Sequence, residues 1–376
     1  MLSNHPREQH RLVDPQAPLH AVLEMWARET PQGLALRHLM DGEAIEQTVT
    51  FSDLWELSRR CSSGLQMLGL SGKPVLLALS PGIEFVAALF GCWHAAVIPV
   101  PVYPPRGTRH KKRFEAVAVD SGATHAILPL GGNWPQSGIE TLEFDTLISH
   151  SSVFPEADRT DSTSLIQYTS GSTAMPKGVR ISHANLRAHF RSLSCFDDLE
   201  ITSALSWLPP YHDMGLVLKI LYAIEAGITL TLFSPDHFIQ RPIRWLQAIS
   251  KYQVEMSGAP NFAFEACVRA VSELELQSLD LTSWKAAPCG AERIRPETLK
   301  RFAAKFAPCG FREEAFLPGY GLAETTLIVT AAKPGAPPHV TPHPTAGSVV
   351  SCGPALDGNQ IRIADPETGA TLDDWK

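Results

Sequence analysis

The stretch from Val75 to Tyr103 constrains the fold most. It reads VLLALSPGIEFVAALFGCWHAAVIPVPVY and carries one charged side chain, Glu84. Its second part, Phe85 to Tyr103, approaches the roughly 20 apolar residues that a membrane-spanning helix needs. Pro99 and Pro101 would break such a helix, and flanking charge starts only at Arg106. A division into shorter elements fits better. Val75–Leu79 reads as a strand, Pro81-Gly82 as a turn, Ile83–His94 as a helix and Ala96–Val100 as a second strand. Both strands are apolar without alternation, as parallel strands covered on both faces are. We therefore expect a strand–helix–strand unit and no membrane span.

The alternation continues along the chain. Phe51–Leu68 places Leu54, Leu57, Cys61, Leu65 and Leu68 on one helical stripe, with Ser52 as the expected cap. Arg113–Asp120 reads as helix, Ala126–Leu130 as strand, and Ser164–Tyr168 as a buried strand. Ser182 can cap a helix running past Ala188. Ala204–Trp207 and Thr229–Phe233 read as strands; Gly215–Glu225, Pro242–Lys251 and Pro296–Phe306 read as helices. Strands alternating with helices predict an α/β fold of doubly wound subdomains with right-handed crossovers. After Thr330 the sequence turns rich in proline and glycine and reads as a linker or long loop. Ser348–Cys352 and Gln360–Ala364 then read as strands of a β-rich piece. The expected divisions are 1–190, 191–340 and 341–376, the last reading as the beginning of a subdomain.

Composition narrows the function classes. Apolar residues make up 44% and charged residues 19%, as in a globular chain. A net charge of −7 gives no driving force for nonspecific nucleic-acid binding. The one basic run, Arg109 to Arg113, reads as a solvated helix start, with docking of an acidic partner as the alternative. Seven cysteines are scattered without CxxC spacing, and the N-terminus lacks a signal-peptide core. Both features predict a reducing, cytoplasmic setting.

The stretch YTSGSTAMPKGV, Tyr168–Val179, then asks for a ligand. Hydroxyls, glycines and one cation in a turn after a strand suit phosphate oxygens, or else a polar surface turn. A Walker loop is excluded, since Pro176 precedes Lys177 and Gly178 follows it. A dinucleotide fingerprint fails because Glu324 stands where Gly319-x-Gly321 needs a third glycine. Hydrolase elbows and zinc-protease motifs are absent from the sequence.

Further stretches in order extend the pattern: PGIEFVAALFGCWHAAVIPVPVYPPR, SWLPPYHDMGL, SGAPNFAFEACV, CGAERI and PGYGLAETTL. Together these resemble the adenylate-forming superfamily, and YHDMGL with PVYPPR resembles its fatty acyl-AMP ligase branch, from about Leu19 to Trp375. The resemblance implies ATP-dependent adenylation of a fatty acid, with pyrophosphate release, in lipid, polyketide or lipopeptide biosynthesis. The acyl group would then pass to an acyl carrier protein, or alternatively to coenzyme A. It implies that Thr169, Ser170, Gly171, Ser172, Thr173 and Lys177 hold phosphates, with Ala174 where a second glycine is usual. Glu324 would hold Mg²⁺ and Thr325 would reach the α-phosphate. Gly290, Ala291, Tyr320 and Gly321 would frame adenine, with Glu292 in the same motif. His212 would lie beside the acyl carboxylate, with Asp213 orienting its loop. Met214, Pro260, Phe262, Ala263 and Phe264 would line the acyl pocket.

The sequence also departs from the pattern. A ribose-binding aspartate, a hinge and a late lysine cannot be placed before Lys376, so weak turnover is expected of the chain alone. The insertion near Ala331–Ser351 reads as shortened. A non-catalytic scaffold that kept the fold and a luciferase-like oxygenase are the readings from other classes.

Overall fold

The computed structural model describes residues 17–105, 107–129, 131, 138–149, 163–169, 176–343, 345 and 347–372, without side chains at 107–109 and 195. Strands β1 (Leu34–Leu39) and β2 (Glu46–Thr50) pair antiparallel. A parallel sheet follows from β3 (Pro74–Leu77), β4 (Ile98–Pro101), β5 (His125–Leu128) and β6 (Glu140–Glu143), in the order β4-β3-β5-β6. Strands β7 (Thr163–Thr169) and β8 (Lys177–Ser182) pair antiparallel on either side of the phosphate-loop residues. Strands β9 (Ser203–Ser206), β10 (Thr229–Leu232) and β11 (Met256–Ser257) join β1 and β2 in the order β11-β9-β10-β1-β2. Strands β12 (Ala287–Cys289), β13 (Phe316–Gly321) and β14 (Ile328–Ala331) form a third sheet, and β15 (Val340–His343) with β16 (Gly347–Val350) a hairpin.

The apolar segment forms the strand–helix–strand unit expected of it. The helix runs Ile83–His94, and Phe85 through His94 are all buried. Strand β3 pairs parallel with both β4 and β5, which explains its continuous apolar sequence. Pro99 and Pro101 sit in β4, which hydrogen-bonds β3 alone, so a missing N–H on the other side is tolerated there. Among the described residues, no helix is long and apolar enough to cross a membrane.

Several expectations need correction. Thr50, not Ser52, caps the helix Phe51–Met67: its Oγ1 accepts from Asp53 N at 3.1 Å while Asp53 accepts from Thr50 N at 3.0 Å. That reciprocal pair satisfies two otherwise orphaned amides. The expected cut at residue 190 falls between segments that share a sheet, since Leu36 of β1 registers against Leu230 of β10. The segment expected as one helix from Gly215 divides into Asp213–Gly215, a π-helical stretch Leu216–Leu221, and Tyr222–Ala226. The proline-rich linker contains β15, whose Pro342 is accommodated because β15 pairs on one side only. Among the described residues, Gln360–Ala364 finds no neighbouring strand and makes one isolated bridge, Ala364 to Thr371.

Three buried charged side chains stand out. Arg187 and Glu225 form an ion pair that ties the helix His183–Ser192 to Tyr222–Ala226. Lys219, in the π-helical stretch, is fully buried, and Nζ has no hydrogen-bond partner among the described residues. Burial pushes its ammonium down to a pKa of about 7.

Candidate functional site

Parallel pairing of β12 with β13 aligns Cys289 with Pro318 and brings the segments after both strands together. Gly290 is needed for this approach: a Cβ there would stand 2.7 Å from the Gly319 carbonyl oxygen. Ala291 follows with a left-handed φ of 66°. At Gly321 a Cβ would meet the Leu327 carbonyl oxygen at 1.8 Å, so the β13–β14 turn closes only around glycine. The turn Ala323–Thr325 then presents Glu324 and Thr325 as exposed side chains.

These segments wall one side of a cavity of about 280 Å³. Thr169, His212, Met214, Gly290, Ala291, Tyr320, Gly321 and Glu324 all line it, although the chain delivers them from far-separated positions. Its lining also includes an apolar set, Leu193, Phe196, Leu199, Ile201, Leu218, Tyr222 and Met256. Tyr320 keeps 57% of its surface exposed, leaving a ring face open to a flat ligand.

His212 lines the same cavity. Its Nδ1 lies 2.7 Å from Asp213 Oδ1. The hydrogen bond to Asp213 raises the imidazole pKa, and burial opposes it. With Nδ1–H donating to Asp213, Nε2 is the nitrogen left for a ligand. Gln167 also lines the cavity, donating from Nε2 to the Tyr211 carbonyl at 2.7 Å, while its buried Oε1 has no partner among the described residues.

Glu324 also borders a second cavity of about 360 Å³, which Thr325 lines and the first cavity's lining lacks. Val179, Arg180 and Ile181 of β8 line that second space. Glu324 is thereby brought next to the strand that leaves the phosphate loop. Lys177 is exposed at the start of β8, paired across from Thr169. Ser170, Gly171, Ser172, Thr173 and Ala174 lie outside the described residues.

The other expected acyl-pocket residues are placed elsewhere. Ala263 and Phe264 are fully buried on the inner face of the helix Asn261–Ala270. Phe264 packs in an aromatic core with Trp245 at 5.3 Å, Phe302 at 5.1 Å and Phe316 at 5.2 Å between ring centroids. Phe262 is 43% exposed, beside Trp207 and Phe238. Pro260 is the N-cap position of the same helix and is absent from the lining. Glu292, expected near adenine or in a loop salt bridge, instead accepts from Phe262 N at 2.6 Å and satisfies the start of that helix. The apolar lining that the structure does show, from Leu193 to Ile201 and at Leu218 and Tyr222, carries no sequence signal that separates it from core.

The profile of the AMP-binding enzyme family matches residues 23–376. The chain belongs to that family. It is 35% identical over 372 residues to the medium-chain-fatty-acid–acyl-carrier-protein ligase JamA of Moorena producens, covering 89% of this chain and 62% of the relative. It is 33% identical over 377 residues to the long-chain-fatty-acid–AMP ligase FadD23 of Mycobacterium tuberculosis, covering 90% of this chain and 64% of the relative. The chain thus spans just over three fifths of the length of these curated relatives. A solved fatty acid AMP ligase from Legionella pneumophila superimposes with a TM-score of 0.88 at 33% identity, covering 97% of this chain and 68% of that one. A second Legionella pneumophila structure, a fatty acyl-adenylate ligase bound to acyl adenylate and pyrophosphate, matches with a TM-score of 0.88 at 32% identity. The α/β fold expected from the sequence is the fold these structures share with the chain.

Proposed function

We propose that this chain supplies the nucleotide and acyl sites of a fatty acyl-AMP ligase, whose acceptor is an acyl carrier protein. The observation that carries this is one cavity whose lining joins the Gly290–Ala291 and Gly319–Glu324 segments, an apolar set and His212. A planar base fits between Gly290–Ala291 and the Tyr320 ring, and an alkyl chain fits among Phe196, Leu199, Leu218 and Tyr222.

The chemistry asks little of proton transfer. A carboxylate is already ionised near pH 7, so its oxygen can attack the α-phosphorus without a general base. Rate must come from alignment and from donors aimed at the developing charge. His212 Nε2 is placed for that role, and the Asp213 contact favours the protonated, donating imidazole. The apolar lining excludes water from the mixed anhydride. Among the described residues no group of three His, Cys, Asp or Glu side chains could hold a metal. That fits Mg²⁺, which is commonly held by one or two carboxylates with substrate phosphates supplying further oxygens. Glu324 is the side chain that would hold it, and the ion would supply charge neutralisation at the phosphates. A cytoplasmic setting accords with the six free cysteines among the described side chains.

A stable acyl-sulfamoyladenosine series, mimicking acyl-AMP, tests this. The chain's thermal midpoint should rise with alkyl length up to a limit, and mass spectrometry after incubation with ATP, Mg²⁺ and fatty acids should show acyl-AMP. Equal response to adenosine alone, or no adenylate with any chain length, would contradict the proposal.

A further inference from the structure

We propose that the exposed basic face of the helix Gly107–Ser121 is the docking surface for the acidic face of the acyl carrier protein that accepts the acyl group. This rests on the acyl-AMP ligase assignment and extends it to the acceptor. His110, Lys111 and Lys112 are exposed, and among the described residues Lys111 and Lys112 make no ion pair. The helix has no acidic residue in its first turn. Lys111 and Lys112 concentrate positive charge on a chain whose net charge is −7. Of the helix's own acids, Glu115 follows Lys111 by four residues and Lys112 by three without an ion pair to either among the described residues, and Asp120 is occupied by the Tyr168 hydroxyl at 2.5 Å.

Two contacts tie this helix to the cavity lining and to the residue before His212. Arg113 Nη2 donates to the Thr169 carbonyl at 3.0 Å, and Thr169 lines the cavity. His110 stacks on Tyr103 with centroids 5.8 Å apart, and Tyr103 meets Tyr211 at 4.4 Å, directly before His212. Tyr103 itself remains 40% exposed. An incoming thiol must reach the acyl carbonyl beside His212. A carrier seated on Lys111 and Lys112 would deliver its phosphorylated arm over Tyr103 to that point. Phe114, Val117 and Ala118 anchor the helix in a core with Tyr168, so the charged face has a fixed position relative to the site. Exposed charges of this kind set encounter rate and salt dependence more than they set final packing.

The test measures binding of a fluorescently labelled, phosphopantetheinylated acyl carrier protein to the full chain by anisotropy. Lys111→Glu with Lys112→Glu should raise Kd by about tenfold at low salt, and added salt should erase most of that difference. Acyl-sulfamoyladenosine binding should stay within about twofold, because neither lysine lines the cavity. Unchanged carrier binding by the double variant, with the analogue bound normally, would overturn the docking surface alone. Analogue binding by neither protein would overturn the ligase assignment and this proposal with it. Preference of the wild-type face for anionic lipid vesicles over the carrier would also overturn it.

Discussion

At the proposed adenine end the cavity is walled by nearly continuous backbone: Gly290–Ala291 after β12, and Gly319 through Glu324 at the end of β13. At the acyl end it is walled by side chains from scattered segments, including Leu193–Ile201, Leu218, Tyr222 and Met256. The first wall depends on residues that cannot be exchanged. A methyl at Gly321 would sit 1.8 Å from a carbonyl oxygen. The second wall needs only apolar volume, which many residues supply equally. One end is therefore written as motif and the other as pattern, and only motif survives reading without a structure.

The sharpest separation of the two ends should come from Glu324→Gln. It removes a charge exposed at both cavities, and acyl-AMP formation should fall by about a thousandfold while the thermal midpoint holds. A comparable loss of folding would show that Glu324 is structural instead.

Phe264→Ala tests the residue that pattern reading misplaced. Filling an aromatic core rather than the cavity, it should cost about 3–5 kcal/mol of stability, read by denaturant unfolding, with an unchanged chain-length profile. A changed profile would return Phe264 to the acyl site.

Lys219→Met probes the helix behind the acyl wall. The folded pKa of about 7 lies below the unfolded value, so in the wild type the unfolded state binds the extra proton between pH 7 and about 10.5. Wild-type stability should therefore rise with pH across that window. The variant should be more stable by about 2–4 kcal/mol at pH 7, and the gain should vanish as pH nears 10.5. A pH-independent gain would mean that packing, not ionisation, is responsible.

Leu218→Trp should shorten the acyl chain preferred by the site, with about tenfold discrimination between long and short acids in competition. The smallest effect is expected from Asp213→Asn. The Asp213 hydrogen bond raises the His212 pKa, so removing the charge should move the alkaline limb of adenylation to lower pH. A limb that stays in place would assign it to another group.

Legibility followed the same division within the fold. The helix Ile83–His94 was readable to the residue, because Pro81-Gly82 and the run of apolar residues bound it sharply. Strands β1 and β2 were not read at all. LALRHL carries a weak alternation, and its partner β10 lies almost two hundred residues away, where no local signal points. His212, Tyr320 and Glu324 stand in short sequence motifs, and all three line the same cavity. Phe262–Phe264 were misleading, since an apolar helix face beside the motif at Gly290 looks like pocket until the aromatic core around Phe264 is seen. The contact of Glu292 was not legible for a related reason: its partner, Phe262 N, is thirty residues distant.

The account's central claim is that one cavity holds both ligand halves. A crystal structure of the chain with a medium-length acyl-sulfamoyladenosine tests it most directly. The adenine should lie between Ala291 and the Tyr320 ring, the carbonyl beside His212 Nε2, and the alkyl chain between Phe196 and Leu218. An alkyl chain threaded instead among Phe262 and Phe264, or an adenine remote from Tyr320, would contradict it.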